Sequence, residues 1–206
     1  LEIDIAGFNT LMAQQKQRAR DARAAMGDLG WTAGTVEALG DIAETEFIGY
    51  SQTEAECKVI SIIDRETSEQ LDSASDGSVI VILDRTPFYG EGGGQVGDTG
   101  TIVCGGREIA VNDTKKNSGI YMHFCTLDGM PVSVGDTVSA KIDINRRDAI
   151  RRNHSACHLL QAALRRVLGN HVEQAGSYVD ADRVRFDFKH FSAMSAEEIA
   201  RTEQLV

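Results

Sequence analysis

His154-Ser-Ala-Cys-His158 places two imidazoles four residues apart. On a helix, positions i and i+4 share a face, so both rings can reach one metal ion. Two ligands leave a tetrahedral zinc site incomplete, since it takes four protein ligands or three and a water. The motif lacks the Glu of HExxH, which argues against a zinc peptidase. The competing reading is a pair of surface histidines with no ligand. A second candidate is PFYGEGGGQVGD (87–98), with Gly92, Gly93, Gly94 and Gln95 at its centre. Such a run lets backbone N–H groups come close to a ligand. No Lys follows as in GxxxxGK[ST] and no helix clearly opens on it, so phosphate-loop and dinucleotide readings fail. A glycine-rich hairpin turn is the plainer alternative. The third candidate is Gln174, in Gln174-Ala-Gly-Ser177. A buried Gln donates and accepts at once, which suits recognition of a small polar side chain.

The histidines need a helix, and residues 146–168 read as one. Asn145 is placed to cap it with Asp148 three residues on, and Gly169 with Asn170 ends it. A helical wheel puts Ala149, Ala156, Leu159, Leu160, Ala163 and Val167 on the apolar stripe. His154 and His158 then fall nearly opposite, beside Arg151 and Arg165. Gln174 sits in HVEQAGSYV, which pairs with VRFDFKH as a hairpin turning at DADR. Val184, Phe186 and Phe188 alternate with Arg185 and Asp187, so one hairpin face is buried. A further helix opens at Ser195 with Glu198 as its capping-box partner and runs to Val206 without a stop signal.

Upstream, residues 45–144 carry short β-branched runs: KVISIID (58–64), SVIVILD (78–84), GTIVCGG (100–106), REIAVND (107–113), IYMHFCT (120–126) and VSAKIDI (138–144). Gly, Asp and Asn punctuate them at short intervals, the rhythm of a small antiparallel barrel or sandwich. Before them, residues 3–26 read as a helix, with Ile5, Phe8, Leu11 and Met12 at helical spacing and Gly27 and Gly30 stopping it.

The formal net charge is -10, which on its face disfavours nucleic acid. The distribution is uneven. Glu37–Asp98 holds 14 acidic and 3 basic residues, whereas Lys141–Arg166 holds 7 basic and 2 acidic. The basic stretch is either a local RNA-holding stripe or a solvated helix face. Cys57, Cys104, Cys125 and Cys157 form no CxxC pair, so free thiols in a reducing cytoplasm are expected. No apolar run is long enough for a membrane span, and the N-terminus has no signal pattern and no Met. The chain reads as an internal piece of a longer protein.

Taken together, RTPFYGEGGGQVGDTG, RRNHSACHLLQAALRRVLG, VEQAGSYV and RFDF resemble the editing region of alanyl-tRNA synthetases. That region also occurs in free-standing alanyl-tRNA editing proteins and is related to the threonyl-tRNA synthetase editing domain. FNTLMAQQKQRARDARA looks like the helix that ends the tRNA-recognition domain. The resemblance implies an α+β fold in three parts. These are the helical end of the tRNA-recognition domain (1–40), a β-barrel-like subdomain with the glycine loop (41–145), and the first part of an α/β editing domain (146–206). It implies Zn2+ held by His154 and His158, with two further ligands beyond Val206. It also implies an editing pocket that includes Gln174 and Cys157, the latter standing where the family commonly has Thr. Gly92, Gly93, Gly94, Gln95, Arg151 and Arg152 are expected to hold the acceptor end of tRNA(Ala). The implied activity is hydrolysis of Ser-tRNA(Ala) and Gly-tRNA(Ala), with ATP and Mg2+ serving aminoacylation elsewhere in the synthetase. A free-standing editing hydrolase and a non-catalytic RNA-docking module are the alternatives.

Overall fold

The computed structural model describes residues 42–206, together with positions 7, 10–12, 14, 39 and 40. Most of the N-terminal helix expected over 3–26 therefore lies outside the described residues. Positions 7, 10–12 and 14 within it are helical. No helix among the described residues is long and apolar enough to cross a membrane.

Six strands close an antiparallel barrel: β2 (Glu54–Asp64), β5 (Gly77–Leu83), β7 (Gly100–Cys104), β8 (Arg107–Asn117), β9 (Ile120–Leu127) and β11 (Thr137–Ile142). Their order is β11-β7-β8-β9-β5-β2, and β11 pairs back onto β2. Closure gives the central strands partners on both sides and removes the exposed edges that would template aggregation. Short strands decorate the barrel: β1 (Glu46–Phe47) with β6 (Arg85–Thr86), β3 (Gln70–Leu71) on β2, and β4 (Ser73–Ala74) with β10 (Val132–Ser133).

The side-chain period of two sorts the barrel residues into inner and outer sets. Val79, Val81 and Leu83 of β5 pack with Phe88, Ile102, Ile109 and Val138 in one core. Ile80 and Ile82 of the same strand pack with Leu39, Met122 and Phe124 in a second. Both faces of β5 are thus covered, which is why its sequence is a continuous apolar run rather than an alternating one. In β2 the register shifts between Val59 and Ser61. One extra residue there moves the inner set from Cys57 and Val59 to Ile62 and leaves Ile63 in the outer cluster.

The chain leaves the barrel into α1 (Ile144–Leu168), followed by the antiparallel hairpin β12 (Gln174–Val179) and β13 (Val184–Phe188) and then α2 (Ala196–Leu205). The expected α+β class and antiparallel barrel-like sheet are borne out. The cap of α1 differs from expectation: Asp143, not Asn145, accepts the Arg146 N–H. The last barrel strand ends at Ile142, so the carboxylate immediately following it is the one facing the first free helix amides. Gly169 closes α1 at φ 116, and Ser195 with Glu198 forms the anticipated capping box of α2.

Candidate functional site

Helix α1 is anchored to the barrel before it reaches the histidines. Arg147, one of the few buried charged residues, donates from Nε to both Asp98 carboxylate oxygens at 2.9 Å. Its Nη2 also pairs with Asp98 and donates to the Pro87 carbonyl, while Nη1 donates to the Gly49 carbonyl. Arg146 donates to the Gly97 carbonyl at 2.8 Å, and the Asp143 N–H donates to the Thr99 carbonyl. Asp98 in turn accepts the Tyr89 N–H at 2.7 Å. One arginine and one aspartate therefore lock the start of α1 onto both ends of the glycine-rich segment. Arg147 was legible only as one more charge in a basic stretch, because nothing local to RRD or QVGD tells a buried pair from two solvated residues.

The glycine-rich segment is a tight turn, as its plainer reading held. Gly92 and Gln95 exchange both backbone hydrogen bonds at 3.0 Å. Gly93 and Gly94 between them have φ of 61 and 85, the two-residue pattern that L side chains resist. The turn lies against β12: the Val179 N–H donates to Gly94, Val96 N–H donates to Val179, and Gln95 bridges Val179 in parallel. A Cβ on Gly94 would overlap the Ser177 carbonyl oxygen. Glycine is required here for close approach of two backbones as well as for its dihedral freedom.

This turn meets the histidine helix. Gln95 is 7% exposed, and its Oε1 lies 2.6 Å from Nδ1 of His154. The His154 and His158 rings follow with centroids 5.1 Å apart and 23° between planes, both on one side of the helix. The wheel placed both rings opposite the apolar stripe, and here the structure differs. His154 is half-buried on the same face as Ile150 and Cys157, while Leu159, assigned to the stripe, is 54% exposed. The barrel loop and hairpin approach α1 along the 150–154–157 line, a contact made by distant segments that a wheel cannot register. His158 remains exposed.

Cys157 is buried in a small apolar cluster with Ile150 and Val179, flanked by Val96, Val184 and Phe186. Burial pushes its thiol pKa up, which disfavours a thiolate. Gln174, expected to be buried, is exposed at the start of β12, and its Nε2 donates to Ser177 Oγ at 3.0 Å. Ser177 Oγ reaches the Gly93 carbonyl at 3.4 Å. Gln174 thus belongs to the rim beside the glycine turn. Arg151 and Arg152 face away on the exposed side of α1, where they line an open depression with Asp148, Ser155, Ala156 and Leu159. Arg151 pairs loosely with Asp148 at 3.4 Å.

The donor chemistry suits a zinc ion: two imidazoles share a helix face, and the inner one has its second nitrogen engaged. Among the described residues no cluster of three or more His, Cys, Asp or Glu side chains is placed to hold a metal. Among the described residues His154 and His158 are the two candidate ligands for such an ion. The other histidines lie elsewhere. His123 is fully buried in the barrel, and His171 bonds His190 at 2.8 Å beyond the end of α1.

The family model for class II (A) tRNA synthetases matches residues 1–146, ending as α1 begins. The chain belongs to that family. Over its whole length the synthetase chain is similar to alanine–tRNA ligases. It is 46% identical to that of Acetivibrio thermocellus over 208 residues, 44% to that of Saccharophagus degradans over 207, and 41% to that of Wolbachia pipientis over 209. It spans 23 to 24% of the length of these relatives. The resemblance to alanyl-tRNA synthetases carried by the glycine run and the HxxxH helix is borne out. The histidine helix itself lies almost wholly past the end of the family-model match.

Proposed function

We propose that this chain is the part of an alanyl-tRNA synthetase that clears mischarged tRNA. It would hydrolyse the ester of Ser-tRNA(Ala) and Gly-tRNA(Ala), while the rest of the enzyme joins alanine to tRNA(Ala) with ATP and Mg2+. The need is physical. A pocket sized for alanine admits the smaller glycine, and one added hydroxyl is rejected too weakly for accurate translation. A second, hydrolytic site supplies the missing discrimination.

The observation that carries this reading is the meeting of three motifs distant in sequence. The glycine turn touches His154 through Gln95 and β12 through Gly94, and Gln174 lies on the same rim. Similarity to alanine–tRNA ligases along the whole chain supports it. His154 and His158 would hold Zn2+ together with further ligands, and the ion would supply positive charge that positions the aminoacyl end or a water. With Nε2 committed to Ser177, Gln174 keeps its Oε1 as an acceptor for the substrate's hydroxyl or ammonium. Cys157 backs the site as an apolar wall. Arg151 and Arg152, exposed on the outer side of α1, would pair with tRNA phosphates.

The test is deacylation of Ser-tRNA(Ala) by the full-length protein and its Gln174→Leu variant. Loss of a hydrogen bond worth about 1–3 kcal/mol should slow serine clearance roughly 5- to 150-fold with an unchanged melting temperature. Unaltered clearance by a folded variant removes Gln174 from the site.

A further inference from the structure

We infer that Gln95 is a positioning residue that sets the tautomer and direction of the His154 ring, rather than a group that touches tRNA. The inference rests on the reading of His154 as a zinc ligand. Gln95 is almost fully buried, and its Oε1 is 2.6 Å from Nδ1 of His154. An amide oxygen only accepts, so Nδ1 must carry the proton and donate it. The lone pair is then left on Nε2, the nitrogen free to bind a metal. The hydrogen bond also stops rotation of the ring about its bond to the helix.

The side chain is held in place to do this. Its own backbone closes the turn with Gly92 on both the N–H and the C=O. The flanking residues Gly94 and Val96 are each bonded to Val179 of β12. The same helix is tied to the segment just past Gln95 by Arg146 at Gly97 and Arg147 at Asp98. Gln95 and His154 are therefore fixed relative to each other by bonds on both sides of the contact. A polar side chain in this position has no route to a ligand in solution, whereas His158, one helical turn on, is exposed. The histidine pair is asymmetric: the inner ring is preset by the protein and the outer ring is free to close on the ion.

The experiment measures zinc affinity of the full-length protein by competition with a chromophoric chelator, alongside 15N chemical shifts of the His154 imidazole. Gln95→Leu should weaken zinc about 10- to 100-fold, the usual effect of losing an outer partner of a metal-bound histidine. Gln95→Glu, which still accepts from Nδ1, should retain affinity. The wild-type ring should show its proton on Nδ1. Wild-type affinity in a folded Gln95→Leu variant, or a proton on Nε2, overturns the inference. Should Gln95→Leu fail to fold, Gln95→Glu and the wild-type tautomer decide. His154→Ala separates the two claims. If it abolishes zinc binding while Gln95→Leu does not, the metal reading stands and this inference falls. If the wild-type protein takes up no zinc, both fall.

Discussion

The barrel and the helix–hairpin region bury their apolar residues to different degrees. Val59, Ile62, Phe88, Ile102 and Ile109 in the barrel have no exposed surface. In the hairpin only Val179 is buried, and β13 presents Val184, Phe186 and Phe188 half-covered. The small cluster of Ile150, Cys157 and Val179 is the fully covered part of the contact between α1, the hairpin and the turn. On the proposed function, nearly all the chemistry falls in the less covered region. A close-packed barrel supplies a rigid frame, and the groups that must meet a ligand are laid over it where their tips stay accessible. The Arg147–Asp98 pair couples the two regions.

Five substitutions probe that contrast. Phe88→Ala, in the barrel, should cost about 3–5 kcal/mol and lower the melting temperature sharply, because the site is fully enclosed. A loss under about 1 kcal/mol by denaturant titration would mean the barrel core is looser than described. Arg147→Met should cost a similar amount, roughly 3–5 kcal/mol, by leaving the Asp98 carboxylate buried without its cation. Adding Asp98→Asn should recover part of that loss, since the Tyr89 N–H keeps an acceptor. If the double variant is no more stable than the single one, the pair does not act as a unit.

His123 gives the barrel a pH response of its own. It bonds Thr86 Oγ1 at 2.7 Å and the Val81 carbonyl at 2.9 Å, and burial pulls its pKa from 6.5 down to about 4. The unfolded chain therefore binds the proton more readily. The stability held by neutral His123 is complete above 6.5 and drains away as the pH falls toward 4, by up to about 3 kcal/mol. Replacing His123 with Gln should flatten this part of the curve of melting temperature against pH; an unchanged slope would assign the response to other groups. The smallest effect is expected at Arg151, whose side chain is 70% exposed. Arg151→Ala should change stability by less than about 0.5 kcal/mol. On the proposed function it should reduce the salt dependence of tRNA binding, measured by titration at several ionic strengths.

Local pattern was enough to determine much of this protein. The β-branched runs at 58–64, 78–84 and 120–126 lie in barrel strands, Gly169 ends α1, and Ser195 with Glu198 starts α2, because strand period and helix capping depend on residues near one another in sequence. The family was legible for the same reason, through several motifs in a fixed order. Tertiary structure decided the rest. It put Arg147 in a buried ion pair, Gln174 on an exposed rim, His154 on the covered face of its helix and Gln95 against its ring. Each of these depends on which distant segment packs beside the residue. A wheel or a spacing rule describes one element at a time, whereas burial and hydrogen-bond partners belong to the contacts between elements.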